Sequence, residues 1–352
     1  MLRLPLIAAL IAAASACAQT PAFAGKIELL GVQKIWDQAP HSAFGDIIRF
    51  NNRWYAVFRE GTGHVPDLPG HDDDGKLRVL VSKDGTRWTS AALLSEDGID
   101  LRDPHLSITA GGRLMIIAGG SIYDHQPGAR AKYMGRRPRV SFSKDGAEWT
   151  KPEAVLSEGH WLWRVTWHKG KGYGVSKHGA IGGESASNPK RVTLVQTTDG
   201  VRYETVADLS VPAGDETTVR FLPDDSMVAL LRREDAQGAA WIGHSKPPYK
   251  EWSWKPAAFR VGGPNFIVLP DGEMWGGGRL YAGDRNLLTY RTVLARMTTT
   301  SYEPALVLPS GGDNSYPGFY WYKDTLWMLY YSSHEGKTGI YLARIRVPNG
   351  KR

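Results

Sequence analysis

The sequence predicts an all-β fold, a six-bladed β-propeller whose blades are four-stranded antiparallel sheets. Six β-hairpins recur along the 352 residues, with turns near residues 51, 111, 170, 224, 271 and 323. The intervals of roughly 47 to 60 residues are the length of a four-stranded blade. Forty glycines and 21 prolines fit many short strands joined by turns, and no long stretch has helical periodicity.

The hairpin at residues 214–234 shows the repeat most clearly. Val219 and Phe221 lead into a Pro-Asp-Asp turn, and residues 227–231 lead out. The start of the first strand lies beside the end of the second in an antiparallel hairpin, so Glu216 and Arg232 are expected on the same rim. The other copies span residues 46–59, 103–118, 164–177, 265–279 and 316–331.

The two ends of the repeat region are expected to share a blade. Residues 26–36 form a candidate strand before the first hairpin, and residues 339–347 form one after the last. An open ring would leave exposed strand edges, so the segment 27–32 is predicted to pair with the segment 340–345. Residues 25–352 are therefore expected to form a single propeller domain.

The N-terminal 24 residues are typical of a secretory signal peptide. Arg3 precedes an apolar run from Leu4 to Ala14, and an Ala-Phe-Ala site ends at Ala24. The apolar stretch is too short to predict a membrane span. The protein is therefore expected to be exported, to the periplasm or the medium. Cys17, the single cysteine, precedes the cleavage site, and lipoprotein processing there is the less favoured alternative.

The charge balance favours anionic partners. The net charge is +7, which attracts anionic partners by electrostatic steering. The basic residues are scattered, with no basic helix or RNA-binding signature, so no nucleic-acid partner is expected. No metal-ligand spacing and no phosphate-binding loop is present, so neither a metal nor a cofactor is expected. The oligomeric state is left open.

Three Asp-Gly turns repeat with an aromatic residue behind them. They span Ser82–Trp88 and Ser143–Trp149, with a degenerate copy at Thr197–Tyr203. Asp can bond nearby backbone N–H groups and Gly can adopt positive φ, so these turns are predicted between the outer two strands of a blade. On a six-bladed propeller they resemble the Asp boxes, or BNR repeats, of the sialidase (neuraminidase) family over residues 40–345.

This resemblance implies an exported exo-glycosidase that hydrolyses a terminal acidic sugar, sialic acid, with retention. The family binds the substrate carboxylate with arginines, whose planar guanidinium can meet two oxygens at once. Arg59, Arg232 and Arg279 each end the second strand of a hairpin, in blades one, four and five. Further polar groups expected on the same rim, as substrate-binding residues, are Arg102, Arg164 and His64.

The resemblance also assigns the catalytic groups. Sialidases use tyrosine as the nucleophile, and a free tyrosine needs a neighbouring carboxylate to accept its proton. Tyr316 resembles the family nucleophile and Glu216 resembles its partner. Asp74 resembles the acid/base residue in the loop before the third strand of blade one, with the adjacent Asp73 and Asp72 as alternatives.

One departure leaves other functions open. The family has an Arg-Ile-Pro motif at the start of blade one, where this chain has residues 41–46 beginning with His. One alternative is a lyase or hydrolase acting on a uronic-acid polysaccharide, with histidine and tyrosine as proton carriers. The other is a glycan-binding propeller without catalysis. The histidines that motivate the first alternative are His64, His105, His178 and His334.

Overall fold

The computed structural model describes residues 26–66, 73–125, 129–179, 191–235, 238–281 and 289–348. Within these residues the secondary structure is entirely β, with strands grouped into six four-stranded antiparallel blades around a ring. The predicted six-bladed propeller is therefore confirmed. The described residues contain no helix that is long and apolar enough to cross a membrane. The predicted signal peptide at residues 1–24 lies outside the described residues.

Most blades use four consecutive strands, with variations in blade two, at the junction of blades four and five, and in blade six. Blade one contains β2 (His41–Phe50), β3 (Arg53–Gly61), β4 (Lys76–Ser82) and β5 (Thr89–Leu94). Blade two contains β6 (Asp100–Ile108), β7 (Leu114–Asp124), β9 (Arg139–Ser143) and β10 (Glu153–Ala154), and an additional strand β8 (Lys132–Arg136) pairs with β7. Blade three contains β11 (His160–His168), β12 (Lys171–His178), β13 (Arg191–Thr197) and β14 (Glu204–Asp208).

Blades four and five share one long strand. Blade four contains β15 (Gly214–Phe221), β16 (Met227–Arg233), β17 (Ala239–Ser245) and the first part of β18 (Ser253–Val268). Blade five contains the rest of β18 with β19 (Met274–Leu280), β20 (Arg291–Met297) and β21 (Tyr302–Val307). The outer strand of one blade thus continues directly as the inner strand of the next.

Blade six is closed by the N-terminal strand. It contains β22 (Asn314–Tyr322), β23 (Thr325–Ser332), β24 (Gly339–Arg346) and β1 (Glu28–Trp36). Leu29 pairs with Ile345 and Val32 pairs with Ala343, which confirms the predicted pairing of the two ends. The chain therefore closes its ring by main-chain hydrogen bonds, and β24 has a partner on both sides.

The Asp-Gly turns lie between the third and fourth strands, as predicted, and contact the neighbouring blade. In the first copy, Asp84 Oδ1 accepts hydrogen bonds from the N–H groups of Thr86 and Arg87 at 2.8 and 2.9 Å. Gly85 has φ of 77°, and a Cβ there would lie 2.7 Å from the ring of Trp327 in blade six. Only glycine therefore satisfies both the left-handed backbone and the close inter-blade contact.

A β-bulge repeats at one position of every blade. Between two paired positions, two residues of the inner strand face one residue of the second strand, so each bulge contains one extra residue. Bulges redirect side chains and are common beside active sites. The two residues inside each irregularity supply Phe44, Asp103, Trp163 with Arg164, Glu216, Gly263 and Tyr316. We call the open end of the ring formed by Phe44, Asp103, Trp163, Glu216, Gly263 and Tyr316 the mouth.

Candidate active site

Tyr316 and Glu216 form a hydrogen-bonded pair at the mouth. Tyr316 Oη donates to Glu216 Oε1 at 2.9 Å, although the two residues come from blades six and four. Arg232 Nη1 donates both to Glu216 Oε2 at 2.8 Å and to Tyr316 Oη at 2.9 Å. The backbone N–H of Gly263 donates to Glu216 Oε2 at 3.0 Å. The carboxylate is thus fixed by three donors, one of them the tyrosine hydroxyl.

The ring of Tyr316 is held on several sides. Its centroid lies 5.2 Å from that of Phe44 and 5.8 Å from that of Trp163, both in edge-to-face geometry. A Cβ at Gly263 would lie 2.5 Å from this ring, so the backbone of blade five packs directly against it. The side chain is only 8% exposed. Tyr316 itself has φ of 52°, a strained value for a non-glycine residue that is typical of functional sites.

Electrostatics keep the Tyr316 hydroxyl protonated in this structure. Burial and the negative charge of Glu216 raise the pKa of Tyr316 well above its ordinary value, while Arg232 and Arg279 oppose this effect. Burial alone would lower the pKa of Arg232, but the charge of Glu216 holds it well above its usual range. The phenol can therefore react as a nucleophile only while its proton passes to a base, and Glu216 is in contact with that proton.

Asp103 is a second carboxylate of the mouth that the sequence analysis did not assign. Its φ is 47°, and Arg102 Nε donates to its Oδ2 at 3.1 Å. Burial raises the pKa of Asp103, Arg102 opposes the rise, and the charge of Glu216 adds to it. Asp103 occupies the bulge of blade two, at the position that Tyr316 occupies in blade six. Alignment of the six hairpins by their turns is the signal that identifies it.

Arg279 belongs to a polar cluster on the blade-six side of the mouth. Its Nη2 donates to Asp313 Oδ1 at 3.0 Å and to Tyr331 Oη at 2.7 Å, and Tyr331 donates to the same Asp313 oxygen at 2.8 Å. The other carboxylate oxygen, Oδ2, contacts His64 Nδ1 at 2.6 Å and His41 Nε2 at 3.1 Å. The Arg279 guanidinium lies 5.3 Å from the ring centre of Tyr316. Arg279 therefore links this cluster to the Tyr316–Glu216 pair.

Arg59, expected to bind substrate, does not reach the mouth. Its side chain is fully buried, and Nε donates to Asp100 Oδ1 at 2.8 Å while Nη1 donates to the carbonyl of Gly63 at 2.7 Å. A Cβ at Gly75 would lie 2.2 Å from Arg59 Nε, so the guanidinium is enclosed between two chain segments. Arg59 thus forms an ion pair with Asp100 of blade two, because a buried guanidinium requires a charged partner.

Arg164 lies below the mouth instead of lining it. Its Nη1 donates to Asp46 Oδ2 at 2.7 Å, and its Nη2 donates to the carbonyl of Pro317 at 3.1 Å. Both Arg164 and Asp46 are buried. Arg164 was expected to contact substrate, but it forms an internal ion pair instead. Its two contacts connect blade three to blade one and to Pro317, the residue after Tyr316.

Asp74, expected to be the acid/base residue, lies at the junction of blades one and two. Its Oδ1 is 3.1 Å from His125 Nε2, and burial raises the pKa of Asp74 while the contact with His125 lowers it. The neighbouring charges are those of Asp100 and Arg59. The alternative Asp72 lies outside the described residues. The structure thus brings four of the predicted residues together at the mouth: Tyr316, Glu216, Arg232 and Arg279. Two more lie at the same mouth, Arg102 in contact with Asp103 and His64 in contact with Asp313.

The fold and this site define a six-bladed propeller with a tyrosine–glutamate pair at its mouth. Similar solved structures include a protein of unknown function from Dyadobacter fermentans, which is 20% identical with a TM-score of 0.75, covering 91% of this chain and 99% of that one. The α-L-arabinofuranosidase Arb93A of Fusarium graminearum is 14% identical with a TM-score of 0.63, covering 92% and 98%.

A Trypanosoma rangeli sialidase mutant is also similar, with 12% identity, a TM-score of 0.65 and coverage of 92% of this chain and 59% of that one. No protein-family model matches the sequence, and no curated protein matches it. At these identities the similarity establishes the propeller fold that sialidases and the arabinofuranosidase share.

Proposed function

We propose that this protein is a retaining exo-glycosidase of the sialidase type, in which Tyr316 is the nucleophile and Glu216 is its general base. The observation that carries the proposal is the 2.9 Å hydrogen bond from Tyr316 Oη to Glu216 Oε1. A buried phenol beside a carboxylate is the arrangement that activates a tyrosine, because the proton has an acceptor at contact distance. The glycosidase propellers of similar structure support the proposal at the level of the fold.

The reaction has two steps in this proposal. In the first, Tyr316 Oη bonds to the anomeric carbon, its proton passes to Glu216, and the glycosidic C–O bond breaks as a general acid protonates the leaving oxygen. In the second, water attacks the anomeric carbon and gives a proton to the same acid/base group, the bond between Tyr316 Oη and the anomeric carbon breaks, and Glu216 returns its proton to Tyr316 Oη. Arg232 contacts both Tyr316 Oη and Glu216, so its positive charge stabilises the phenolate character that develops.

Two carboxylates can supply the acid/base group, Asp103 and Asp74. Asp103 lies in the mouth, where its charge interacts with those of Tyr316 and Glu216. Asp74 lies at the junction of blades one and two, in contact with His125. Burial raises the pKa of both, as a general acid requires. The proposal favours Asp103, because its charge is coupled to the reacting pair.

The proposed substrate carries a carboxylate. Arg232 and Arg279 both act electrostatically on Tyr316, and Arg102 enters the mouth beside Phe44 at 5.0 Å. A neutral phenol as nucleophile also suits an anionic sugar, since an ionised carboxylate nucleophile would repel the substrate carboxylate. A terminal acidic sugar such as sialic acid has a carboxylate that these arginines can bind and that a neutral nucleophile does not repel. Because the protein is expected to be exported, its substrate is an extracellular or periplasmic glycan.

The test is release of fluorophore from an aryl α-sialoside by residues 25–352. The wild type is expected to turn over, and Tyr316→Phe and Arg279→Ala are expected to lose at least about a hundredfold in kcat/KM. Tyr322→Phe, at the hairpin end of the same strand, is the matched control and is expected to keep wild-type rates. Turnover of an aryl α-L-arabinofuranoside instead would retain the glycosidase assignment and overturn the acidic substrate. Binding of glycans without turnover of any substrate would favour the non-catalytic alternative.

The leaving group distinguishes the two acid candidates. Loss of a general acid slows the cleavage of substrates with poor leaving groups far more than that of aryl substrates, because an aryloxide can leave without protonation. We expect Asp103→Asn to show this selective loss and Asp74→Asn to affect both substrates equally. The opposite pattern would assign the role to Asp74.

A lyase acting on a uronic-acid polymer is the second candidate, favoured by one observation. His64 is 46% exposed and lies at the mouth in contact with Asp313, so an accessible proton carrier is present there. A lyase removes a proton next to the uronate and leaves a double bond that absorbs in the ultraviolet. Such absorbance over a uronate panel, lost in His64→Ala, would replace the hydrolase proposal.

A further inference from the structure

Three potential metal ligands converge beside the proposed catalytic pair. The ligand atoms of His41, His64 and Asp313 all lie within 4.8 Å of one another. Both imidazoles point at the same carboxylate oxygen, with distances from Asp313 Oδ2 of 3.1 Å to His41 Nε2 and 2.6 Å to His64 Nδ1. The three residues are far apart in the sequence, on blades one and six, so no ligand spacing reveals them. The glycosidase reaction described above assigns them no role.

We propose that His41, His64 and Asp313 bind a divalent transition-metal ion such as Zn²⁺. Two imidazoles and one carboxylate form a donor set that such ions use in sites where one coordination position stays open. Ligand atoms about 2.0–2.2 Å from a tetrahedral ion lie roughly 3.3–3.6 Å from one another. The observed separations therefore need only small rotations of the side chains to admit an ion.

The carboxylate of Asp313 is oriented by hydrogen bonds to the oxygen that faces away from the histidines. Arg279 and Tyr331 both donate to Asp313 Oδ1, at 3.0 and 2.8 Å, and this leaves Oδ2 directed at the histidines. Partners of this kind fix the orientation of a first-shell ligand before the ion arrives. Asp313 Oδ2 therefore faces both imidazoles, at 3.1 Å from His41 Nε2 and 2.6 Å from His64 Nδ1.

The two histidines differ in exposure in a way that suits binding. His41 is 8% exposed, and its Nε2 lies 3.1 Å from Asp313 Oδ2. The side chain of His64 is 46% exposed and lies at the open mouth. An ion can therefore enter from solvent at His64 and be held against the more rigid His41.

The bound ion would change the charge of the mouth. Arg279 already balances the charge of Asp313, so a divalent ion there leaves a net positive site. The open position then attracts an anionic ligand, such as a carboxylate. The Phe44 ring lies 5.0 Å from His64 and 5.2 Å from Tyr316, so only one side chain separates the metal ligands from the proposed nucleophile. If the glycosidase proposal holds, the carboxylate of the acidic substrate can bind to this ion as well as to the arginines of the mouth.

Zinc binding can be measured without any sugar substrate. Residues 25–352, purified without a polyhistidine tag and stripped with a chelator, would be titrated with ZnCl₂ by calorimetry, and bound zinc counted after gel filtration. One ion per chain is expected. His64→Ala and Asp313→Asn are expected to weaken the affinity at least tenfold, with circular dichroism confirming the fold. His244→Ala is the control, because His244 lies on β17 of blade four and takes no part in the cluster.

The decisive variant is His64→Ala, because an exposed side chain can be removed without disturbing the core. Equal zinc affinity in the wild type and His64→Ala would overturn the proposal, as would a wild type that retains no zinc. His64→Cys is expected to restore zinc binding, since a thiolate is also a zinc ligand. Because binding is measured directly, failure of the metal site and failure of the glycosidase proposal give separate results.

Discussion

Replacement of Asp46 by alanine should destabilise the protein more than any surface change, because this carboxylate joins three blades below the mouth. Asp46 Oδ2 accepts hydrogen bonds from Arg164 Nη1 at 2.7 Å and from the backbone N–H of Leu106 at 2.9 Å. Oδ1 accepts one from the N–H of Ile47 at 3.0 Å. Arg164 in turn holds the carbonyl of Pro317, the residue after the proposed nucleophile.

The magnitude follows from what the substitution leaves unpaired. Removing one partner of a buried ion pair costs about 3–5 kcal/mol, and a buried amide that loses its acceptor costs about 1–3 kcal/mol. Arg164 keeps its bond to Pro317 and water can enter the space, so we expect Asp46→Ala to lower the free energy of unfolding by about 4–6 kcal/mol. Removal of the unpaired charge should recover part of this loss. Asp46→Ala/Arg164→Met is therefore expected to be at least about 1 kcal/mol more stable than the sum of the single changes.

Urea denaturation of the wild type, both single variants and the double variant measures these terms. The midpoint should shift with little change in the m-value, since the surface exposed on unfolding is nearly unchanged. Asp46→Asn, which keeps the shape and one acceptor oxygen, should lie between the wild type and Asp46→Ala. A loss below about 1 kcal/mol in Asp46→Ala, or strict additivity in the double variant, would refute the view that this pair is coupled.

Three further outcomes follow from the same geometry. Gly263→Ala and Gly272→Ala both force alanine into positive φ, at about 1–2 kcal/mol, but only the Cβ at Gly263 meets the Tyr316 ring. Only Gly263→Ala should therefore lower kcat/KM, by at least about tenfold, and equal rates would contradict the assigned packing. The folded-state pKa of Asp313 is depressed, so its stabilisation is present above its unfolded pKa and is lost as pH falls through the folded value. The stability difference between wild type and Asp313→Asn should hold from pH 7 to 5 and shrink below about pH 4, as thermal unfolding at each pH can show. Deletion of residues 26–36 removes β1, exposes the edge of β24 and should cause aggregation in light scattering, whereas wild-type stability would argue against closure by this strand.

Much of the architecture could be read from the chain alone. The strands of each hairpin are local in sequence, so their pairing and the rim shared by Glu216 and Arg232 follow from the turn positions. The join between β1 and β24 follows from the instability of open edges. The continuous strand β18 was not anticipated, because nothing in the sequence at residues 253–268 distinguishes a long strand from two short ones joined by a turn.

The site was only partly predictable, for a physical reason. The amino-acid sequence by itself determined the repeat and the rim position of each hairpin end, including those that carry Tyr316 and Glu216. Which charged groups meet each other depended on packing between blades. Arg59 forms an ion pair with Asp100 of blade two, and Arg164 forms one with Asp46 of blade one. A buried guanidinium needs a charged partner, and that partner can come from a distant part of the chain.

The bulges are the second feature that only the tertiary structure decided. Alignment of the hairpins gives the position of Asp103, but neither hydrophobic alternation nor turn chemistry specifies the extra residue of the inner strand that turns Asp103 towards the mouth. The cluster of His41, His64 and Asp313 has the same origin, since the ring closure brings blade six beside blade one. Sequence determined which groups were available at the rim, and the closed ring decided which of them came into contact.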